Sequence, residues 1–144
     1  MYEFSLSSPD FEEGGEIPKR CGYKHGNMRP EIIFENFPAN VNAIGIIMDD
    51  PDAMGAVGKV WVHWLICRGV FDEDALPALI GKNDFGELGY GGPAPPDKRH
   101  TYIFKVYALD TMPDLEQGYS KQELEDAMKG HIIAEAKLTG TFAP

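Results

Sequence analysis

Short apolar segments separated by glycine- and proline-rich turns are the feature that most constrains how this chain can fold. Asn42–Met48 is a compact apolar run, and Val60–Cys67 and Thr101–Leu109 are rich in β-branched and aromatic residues, so each is predicted to be a strand. The 16 Gly and 11 Pro are spread along the chain, which is typical of many turns between extended segments. With 144 residues, the pattern predicts one mainly β domain over residues 1–144.

One helix is strongly indicated near the carboxyl end. Ser120 followed by Glu123 makes a capping box, in which each side chain satisfies a free backbone N–H of the other residue. Apolar residues then recur three and four apart until Gly130, which favours the end of a helix. The alternation that follows predicts a last strand, and a short helix over Ile132–Leu138 is the alternative.

The stretch from Gly69 to Lys98 has weak periodicity. It contains a possible helical turn at Asp74–Leu79 and a glycine- and proline-rich tail. A loop of this length inside a compact domain is usually functional or disordered.

The charge balance excludes two classes of partner. The chain carries 13 Lys+Arg against 23 Asp+Glu, a formal net charge of −10. Such a surface repels phosphate backbones and anionic membranes, so we expect neither nucleic-acid binding nor stable membrane insertion. Met1–Phe11 lacks the basic start and apolar stretch of a signal peptide, and Cys21 and Cys67 make no disulfide framework. We therefore expect a cytoplasmic location.

The first candidate site joins an acidic turn to a histidine. Asp50 and Asp52 flank Pro51, directly after the first predicted strand, and Asp50 continues the alternation of its apolar residues. In the next strand, regular alternation predicts that Trp61, His63 and Leu65 share one face. A carboxylate beside an imidazole can fix which ring nitrogen carries the proton. The alternative is a plain turn beside a core histidine.

The second candidate site is the segment Gly89–Pro96 followed by His100 and Tyr102. Glycines let the backbone approach a ligand, while His100 and Tyr102, two residues apart, project from one strand face. A loop N–H, an imidazole and a phenol can together donate hydrogen bonds to an oxyanion. The alternative is a simple loop. It is not a phosphate-binding P-loop, because no Lys-Ser/Thr pair follows the glycines.

Other chemistry has weaker support. The four histidines lack the short spacing of a metal motif, so we expect no metal and no other cofactor. No serine or cysteine lies in a nucleophile-elbow context. Cys67 is expected to be a buried apolar residue. Cys21 is expected to be a plain loop cysteine, although the neighbouring Lys19, Arg20 and Lys24 could lower its pKa.

The two candidate sites occur together, in this order and at this spacing, which is more specific than either alone. The stretches that match a known pattern are Met48–Ala53, Trp61–Trp64, Asn83–Gly86, Gly89–Pro93, Pro95-Pro96, His100 with Tyr102, Tyr107–Asp110, Leu124-Glu125, Ala127-Met128, Gly130–Ile132 and Gly140-Thr141. On these residues the chain resembles the phosphatidylethanolamine-binding protein (PEBP) family, in its small bacterial and archaeal branch, from about Phe4 to Phe142.

This resemblance implies an antiparallel β-sandwich-like fold with a few peripheral helices, one of them near the carboxyl end. It also implies a small pocket for anions such as phosphate, phosphoethanolamine, acetate or cacodylate. By motif, the ligand-binding residues are Asp50, Asp52, Trp61, His63, Gly92, His100 and Tyr102. Within this set, the N–H of Gly92, an imidazole and the hydroxyl of Tyr102 would donate hydrogen bonds, Asp50 would orient a donor, and Trp61 would form a wall.

Five positions depart from the family pattern. Met54 stands where the family usually has Pro, Lys98 where it has Gly, Thr101 where it has Arg, and Ala94 where Cys is common. His25 stands in the acidic place of an amino-terminal motif. These departures affect the rim and a neighbouring loop rather than the central motif.

The leading hypothesis is a non-catalytic binding protein for a small anionic ligand, phosphate or a phospholipid head group. By resemblance, it would regulate a kinase pathway or inhibit a serine protease, and it would form a homodimer. One alternative is a phosphoester hydrolase that uses His63 and His100 as acid and base. The other is an interaction protein with a vestigial pocket.

Overall fold

The computed structural model describes residues 3–70 and 78–144, and most of their regular secondary structure is strand. In chain order the elements are β1 Ser5–Ser7, β2 Gly15–Glu16, a 3-10 turn Lys19–Cys21, β3 Ile33–Glu35, β4 Ala43–Asp50, α1 Ala53–Val57, β5 Trp61–Gly69, β6 Leu79–Ile80, β7 His100–Leu109, α2 Lys121–Met128 and β8 Ile132–Phe142. The predicted mainly β class is confirmed.

The strands of the described residues form two sheets. The larger has six strands in the order β2-β8-β7-β4-β5-β6, and the smaller pairs β1 with β3. All pairs are antiparallel except β2 with β8. The three strands predicted first are the central ones, β4, β5 and β7. Strand β4 runs past the predicted end at Met48, because Asp49 and Asp50 still pair with β5, and it ends before Pro51.

Each face of the large sheet carries a buried core. On one face, Ile46, Phe104 and Val106 lie in a core that the small sheet covers through residues such as Phe34. On the other face, Ile47, Leu65 and Leu109 pack with Leu124 and Met128 of α2. Because its two faces are covered, β4 is buried along its whole length, which explains its nearly continuous apolar sequence.

A β-bulge in β5 changes which side chains share a face. Met48 pairs with Trp64 but Asp49 pairs with Val62, so His63 is the extra residue of β5. As a result, Trp64 lies in the core beneath the small sheet, whereas Leu65 lies in the core beneath α2. The prediction that Trp61, His63 and Leu65 share one face is therefore wrong: regular alternation does not survive the extra residue.

The carboxyl-terminal predictions are confirmed. The hydroxyl of Ser120 accepts a hydrogen bond from the backbone N–H of Glu123 at 3.1 Å, and the Glu123 carboxylate accepts one from the N–H of Ser120 at 3.1 Å. Gly130 has a φ of +85°, which ends the helix at low cost. The segment that follows is strand β8, paired with β7, and not the alternative short helix.

In the stretch between Gly69 and Lys98, the described residues 78–98 make specific side-chain hydrogen bonds although their sequence has weak periodicity. Asn83 is buried, and its side-chain oxygen accepts hydrogen bonds from the backbone N–H of Phe85 and Glu87 at 3.0 and 3.1 Å. The predicted helical turn at Asp74–Leu79 lies largely outside the described residues, and Leu79 belongs to β6. Among the described helices, none is long and apolar enough to cross a membrane.

Candidate functional site

A cavity of about 120 Å³ opens at the sheet edge where β4 ends and β5 and β7 begin. These ends meet because antiparallel neighbours run in opposite directions. Helix α1 forms one wall of the cavity and the glycine- and proline-rich segment before β7 forms another. The lining residues are Asp50, Ala53, Ala56, Val57, Trp61, His63, Phe85, Ala94, Pro95, Pro96, His100 and Tyr102. The structure thus brings five of the seven predicted site residues together.

His100 is held between two carboxylates. Its Nδ1 lies 2.6 Å from Oδ2 of Asp50, and its Nε2 lies 2.7 Å from Oδ1 of Asp97. Carboxylates accept hydrogen bonds, so both ring nitrogens donate and the ring is an imidazolium. Burial by itself lowers the pKa of His100, but the hydrogen bonds to Asp50 and Asp97 raise it overall. The hydrogen bond from His100 to Asp97 also holds the pKa of Asp97 below its usual value.

His63 has the opposite protonation preference. Its Nδ1 donates to the backbone carbonyl of Gly91 at 2.6 Å, so Nε2 carries no hydrogen in the neutral ring. Burial lowers the pKa of His63, and the hydrogen bond to Gly91 opposes this only in part. The ring packs edge-on against Tyr102, with centroids 5.1 Å apart, and against Phe85 at 5.6 Å. The floor of the cavity therefore contains one charged and one neutral imidazole.

Two buried polar atoms at this floor lack a hydrogen-bond partner among residues 3–70 and 78–144. They are Oδ1 of Asp50 and the hydroxyl of Tyr102. Burial raises the pKa of Tyr102, and the charge of Asp50 raises it further, so the hydroxyl keeps its proton as a donor. Since buried polar groups are nearly always paired, two unpaired atoms beside one cavity are an unusual feature of this sheet edge.

Gly92 is placed differently from the prediction. Its backbone N–H donates to Oδ1 of Asn27 at 2.7 Å, and Gly92 does not line the cavity. A Cβ at this position would lie 1.9 Å from the carbonyl oxygen of Cys21. The glycine is thus required for close packing of two loops, and the expected hydrogen bond from its N–H to an anion is replaced by one to Asn27.

Asp52 is also outside the cavity lining. Its Oδ2 accepts a hydrogen bond from the backbone N–H of Thr101 at 2.8 Å. This bond joins the start of α1 to the start of β7. The carboxylate therefore positions the helix that forms one wall of the cavity.

Several cavity residues are absent from the predicted set. Helix α1 supplies Ala53, Ala56 and Val57, but it has no side-chain cap, so sequence signals do not mark it. Phe85 lies within one of the matching motifs and stacks on Tyr23, with ring centroids 3.9 Å apart. Its place in the matching stretch Asn83–Gly86, directly before a glycine, is the sequence signal that could have identified Phe85 as a site residue.

The cysteines are both buried and unpaired. Burial raises the pKa of Cys21 overall; the charge of the neighbouring Arg20 acts to lower it, as suggested, but does not outweigh burial. Cys67 is the buried apolar residue predicted for a strand, and burial raises its pKa to about 12. In the described parts of the chain, no group of three or more His, Cys, Asp or Glu side chains could hold a metal ion.

Comparison with known proteins matches this architecture to one class. The crystal structure of the PEBP homolog CT736 from Chlamydia trachomatis has a TM-score of 0.86 and 34% identity, covering 98% of this chain and 97% of that chain. E. coli YbcL, a member of the mammalian PEBP family, also has a TM-score of 0.86, with 28% identity and 98% of each chain covered. The class is therefore a mainly β protein with the PEBP fold.

The family follows from the sequence comparisons. The family profile described as phosphatidylethanolamine-binding protein matches residues 7–143. A UPF0098 protein of Methanothermobacter thermautotrophicus is 39% identical over 150 residues, which cover 96% of this chain and 97% of that protein. A UPF0098 protein of Chlamydia muridarum is 35% identical over 145 residues, covering 95% and 97%. The chain belongs to the phosphatidylethanolamine-binding protein family.

Proposed function

We propose that the protein binds a small anionic ligand by its head group, without chemical turnover. The head group is phosphate-like, phosphoethanolamine-like or a carboxylate. The binding site is the cavity whose polar floor consists of Asp50, His63, His100 and Tyr102, with Trp61 in the wall.

The observation that carries this proposal is the hydroxyl of Tyr102. Tyr102 is fully buried, and its hydroxyl has no partner in the part of the chain that the structure describes. A buried donor without an acceptor costs roughly 1–3 kcal/mol, and an oxygen of a ligand would recover this cost. A cavity of about 120 Å³ suits a head group rather than a whole lipid, because drug-sized ligands occupy about 300 Å³ or more.

The net charge of −10 does not oppose such a ligand. A short-range donor such as the hydroxyl of Tyr102 acts on a compact anion at contact distance, whereas surface charges farther away are screened by salt. An extended polyanion would meet the whole acidic surface. The protein can therefore accept a small head group and still repel nucleic acid.

The geometry favours binding over hydrolysis. Both nitrogens of His100 are engaged by Asp50 and Asp97, so neither is free to move a proton to or from a substrate. One nitrogen of His63 is likewise engaged by the carbonyl of Gly91. Among the described residues, the cavity lining includes no serine or cysteine that could act as a nucleophile.

Family membership extends the proposal to a protein partner, a kinase or a serine protease. Occupancy of the cavity would then control the interaction. An inhibition assay with the wild type and with Tyr102→Phe tests this extension: inhibition that depends on the ligand should be weaker in the variant, and equal inhibition by both proteins would contradict the link.

Thermal melting with phosphate or phosphoethanolamine tests the binding proposal. We expect each ligand to raise the Tm of the wild type, since a ligand at about one hundred times its Kd stabilises the folded state by about 2.7 kcal/mol. Tyr102→Phe keeps the aromatic packing but removes the donor, so we expect about tenfold weaker binding.

Tyr107→Phe is the matched control, since Tyr107 lies on the same strand but outside the cavity lining. It should leave the ligand-induced rise in Tm unchanged. The His100→Ala variant should reduce the rise as well. If neither ligand shifts the Tm of the wild type, the binding proposal is wrong.

A further inference from the structure

The floor of the cavity offers a ligand one acceptor and one donor. The acceptor is Oδ1 of Asp50 and the donor is the hydroxyl of Tyr102, and both are buried without partners among residues 3–70 and 78–144. We propose that the cavity selects ligands that carry their own acidic hydrogen, in particular the monoanion of a phosphate monoester, over tetrahedral anions without one. This inference rests on the proposed function and specifies the chemical form of its ligand.

Asp50 acts as an acceptor because of its neighbour. Its Oδ2 accepts the Nδ1 hydrogen of His100 at 2.6 Å, and the carboxyl group is 4% exposed. The second oxygen, Oδ1, belongs to the same carboxylate and also has only lone pairs to offer. An oxygen of a fully deprotonated anion at this point would face Oδ1 with no hydrogen between them.

A protonated phosphate monoester satisfies both groups at once. Its P–OH hydrogen would be donated to Oδ1 of Asp50, while a second phosphate oxygen would accept from the hydroxyl of Tyr102. A monoester sulfate has the same tetrahedral shape and a single negative charge, but it has no hydrogen for Asp50. The difference between the two ligands is then one hydrogen bond.

The local charge also favours a monoanion over a dianion. The imidazolium of His100 is outnumbered by the carboxylates of Asp50 and Asp97, and His63 is held neutral by burial. Each further negative charge on the ligand therefore meets a net negative site. The ionisable groups that face or act on this site are Asp50 and Asp49 from β4, Asp52 before α1, His63 from β5, Asp97 before β7, and His100 and Tyr102 from β7.

Isothermal titration calorimetry of the full chain with methyl phosphate and methyl sulfate tests the inference. At about pH 5 both probes are monoanions, because the second pKa of a phosphate monoester is about 6. We expect methyl phosphate to bind about tenfold more tightly, since methyl sulfate leaves the acceptor unpaired. As the pH rises past about 6, the ratio of the two affinities should fall with the fraction of phosphate monoanion.

Methyl sulfate does not titrate in this range, so its pH profile reports the titration of His63, His100 and the other protein groups. Dividing the affinity for methyl phosphate by the affinity for methyl sulfate at each pH removes the contribution of the protein groups. The remaining pH dependence reports the proton of the phosphate monoester. This ratio is measured on the wild type and does not depend on any variant being stable.

Asp50→Asn provides a second measurement. The amide oxygen of the new side chain can accept from His100, and its NH₂ group then replaces Oδ1, so an acceptor becomes a donor. We expect the preference to disappear or reverse in favour of methyl sulfate. Asp114→Asn is the control, because Asp114 is exposed and lies outside the cavity lining, and it should keep the wild-type preference.

Two results would overturn the inference. Equal affinities at about pH 5, or a ratio that stays constant across the pH range, would reject the selection of a protonated ligand while the binding proposal stands. Failure of both probes to bind would reject the binding proposal and this inference together.

Discussion

His63 and His100 are buried at the same sheet edge, yet their pKa values shift in opposite directions. Burial disfavours the charged ring in both. The difference lies in the partners: His63 is held by one backbone carbonyl, whereas His100 is held by two carboxylates. Residue type alone therefore does not determine the charge of a buried histidine; the acceptors around its ring do.

These opposite shifts give opposite contributions to stability. His100 has a folded pKa above its unfolded value of about 6.5, so its contribution is complete below that pH and is lost as the pH rises through the folded pKa. His63 has a lowered folded pKa, so the fold loses stability as the pH falls below about 6.5.

Asp97→Asn should destabilise the protein most where both partners are charged, which is between about pH 4 and about pH 6.5. The difference from the wild type should shrink at higher pH, where the His100 imidazolium loses its proton. Urea unfolding at a series of pH values measures this difference in unfolding free energy between the variant and the wild type. Asp114→Asn, at an exposed position, is the control and should show no such profile. A difference for Asp97→Asn that is independent of pH would contradict the ion-pair assignment.

At the scale of elements, the bulge in β5 determines the composition of the cavity. Without the extra residue at His63, β5 would be a regular strand and Trp61 would lie on the same face of the sheet as Leu65. With it, Trp61 lies opposite Asp50 in register, and both line the cavity. Pairing with β4 determines where β5 is irregular, and the sequence of β5 alone does not reveal this.

The capping box of α2 is an element-scale feature that the sequence does reveal. Ser120→Ala removes the acceptor for the Glu123 N–H and should cost about 1 kcal/mol of unfolding free energy. Ser120→Asp keeps an acceptor at the N-cap and should retain most of the stability. Urea unfolding compares the three proteins. Equal losses in both variants would indicate that the cost comes from something other than the cap.

For the whole molecule, the large sheet separates two cores, and each holds one cysteine. Cys21 lies in the core under the small sheet and Cys67 in the core under α2. Both thiols are buried, and burial raises both pKa values, that of Cys67 to about 12. A thiolate is therefore scarce at either position while the protein is folded.

A thiol reagent should consequently react slowly with the native protein and rapidly at both cysteines in denaturant. Absorbance of the released chromophore measures the two rates. The variants Cys21→Ser and Cys67→Ser assign each rate to one core. Fast reaction of either thiol in the native protein would show that the core around it opens locally.

Much of the fold could be predicted from the sequence because the signals are local. The strands β4, β5, β7 and β8 follow from apolar composition and alternation, and α2 follows from its capping box. The candidate site was predictable in part, through motifs that contain Asp50, His63, His100 and Tyr102. Helix α1 was missed because it is short and has no side-chain cap.

By itself, the sequence determined the class of fold, its long central strands, the helix α2 and the motifs that mark one site. Only the tertiary structure decided that Gly92 donates to Asn27, 65 positions away, that Asp97 is the second partner of His100, and that Oδ1 of Asp50 is left without a partner. The reason is physical. Strand and helix preferences depend on neighbours a few residues apart, whereas the hydrogen bonds of a cavity depend on which loops pack against each other.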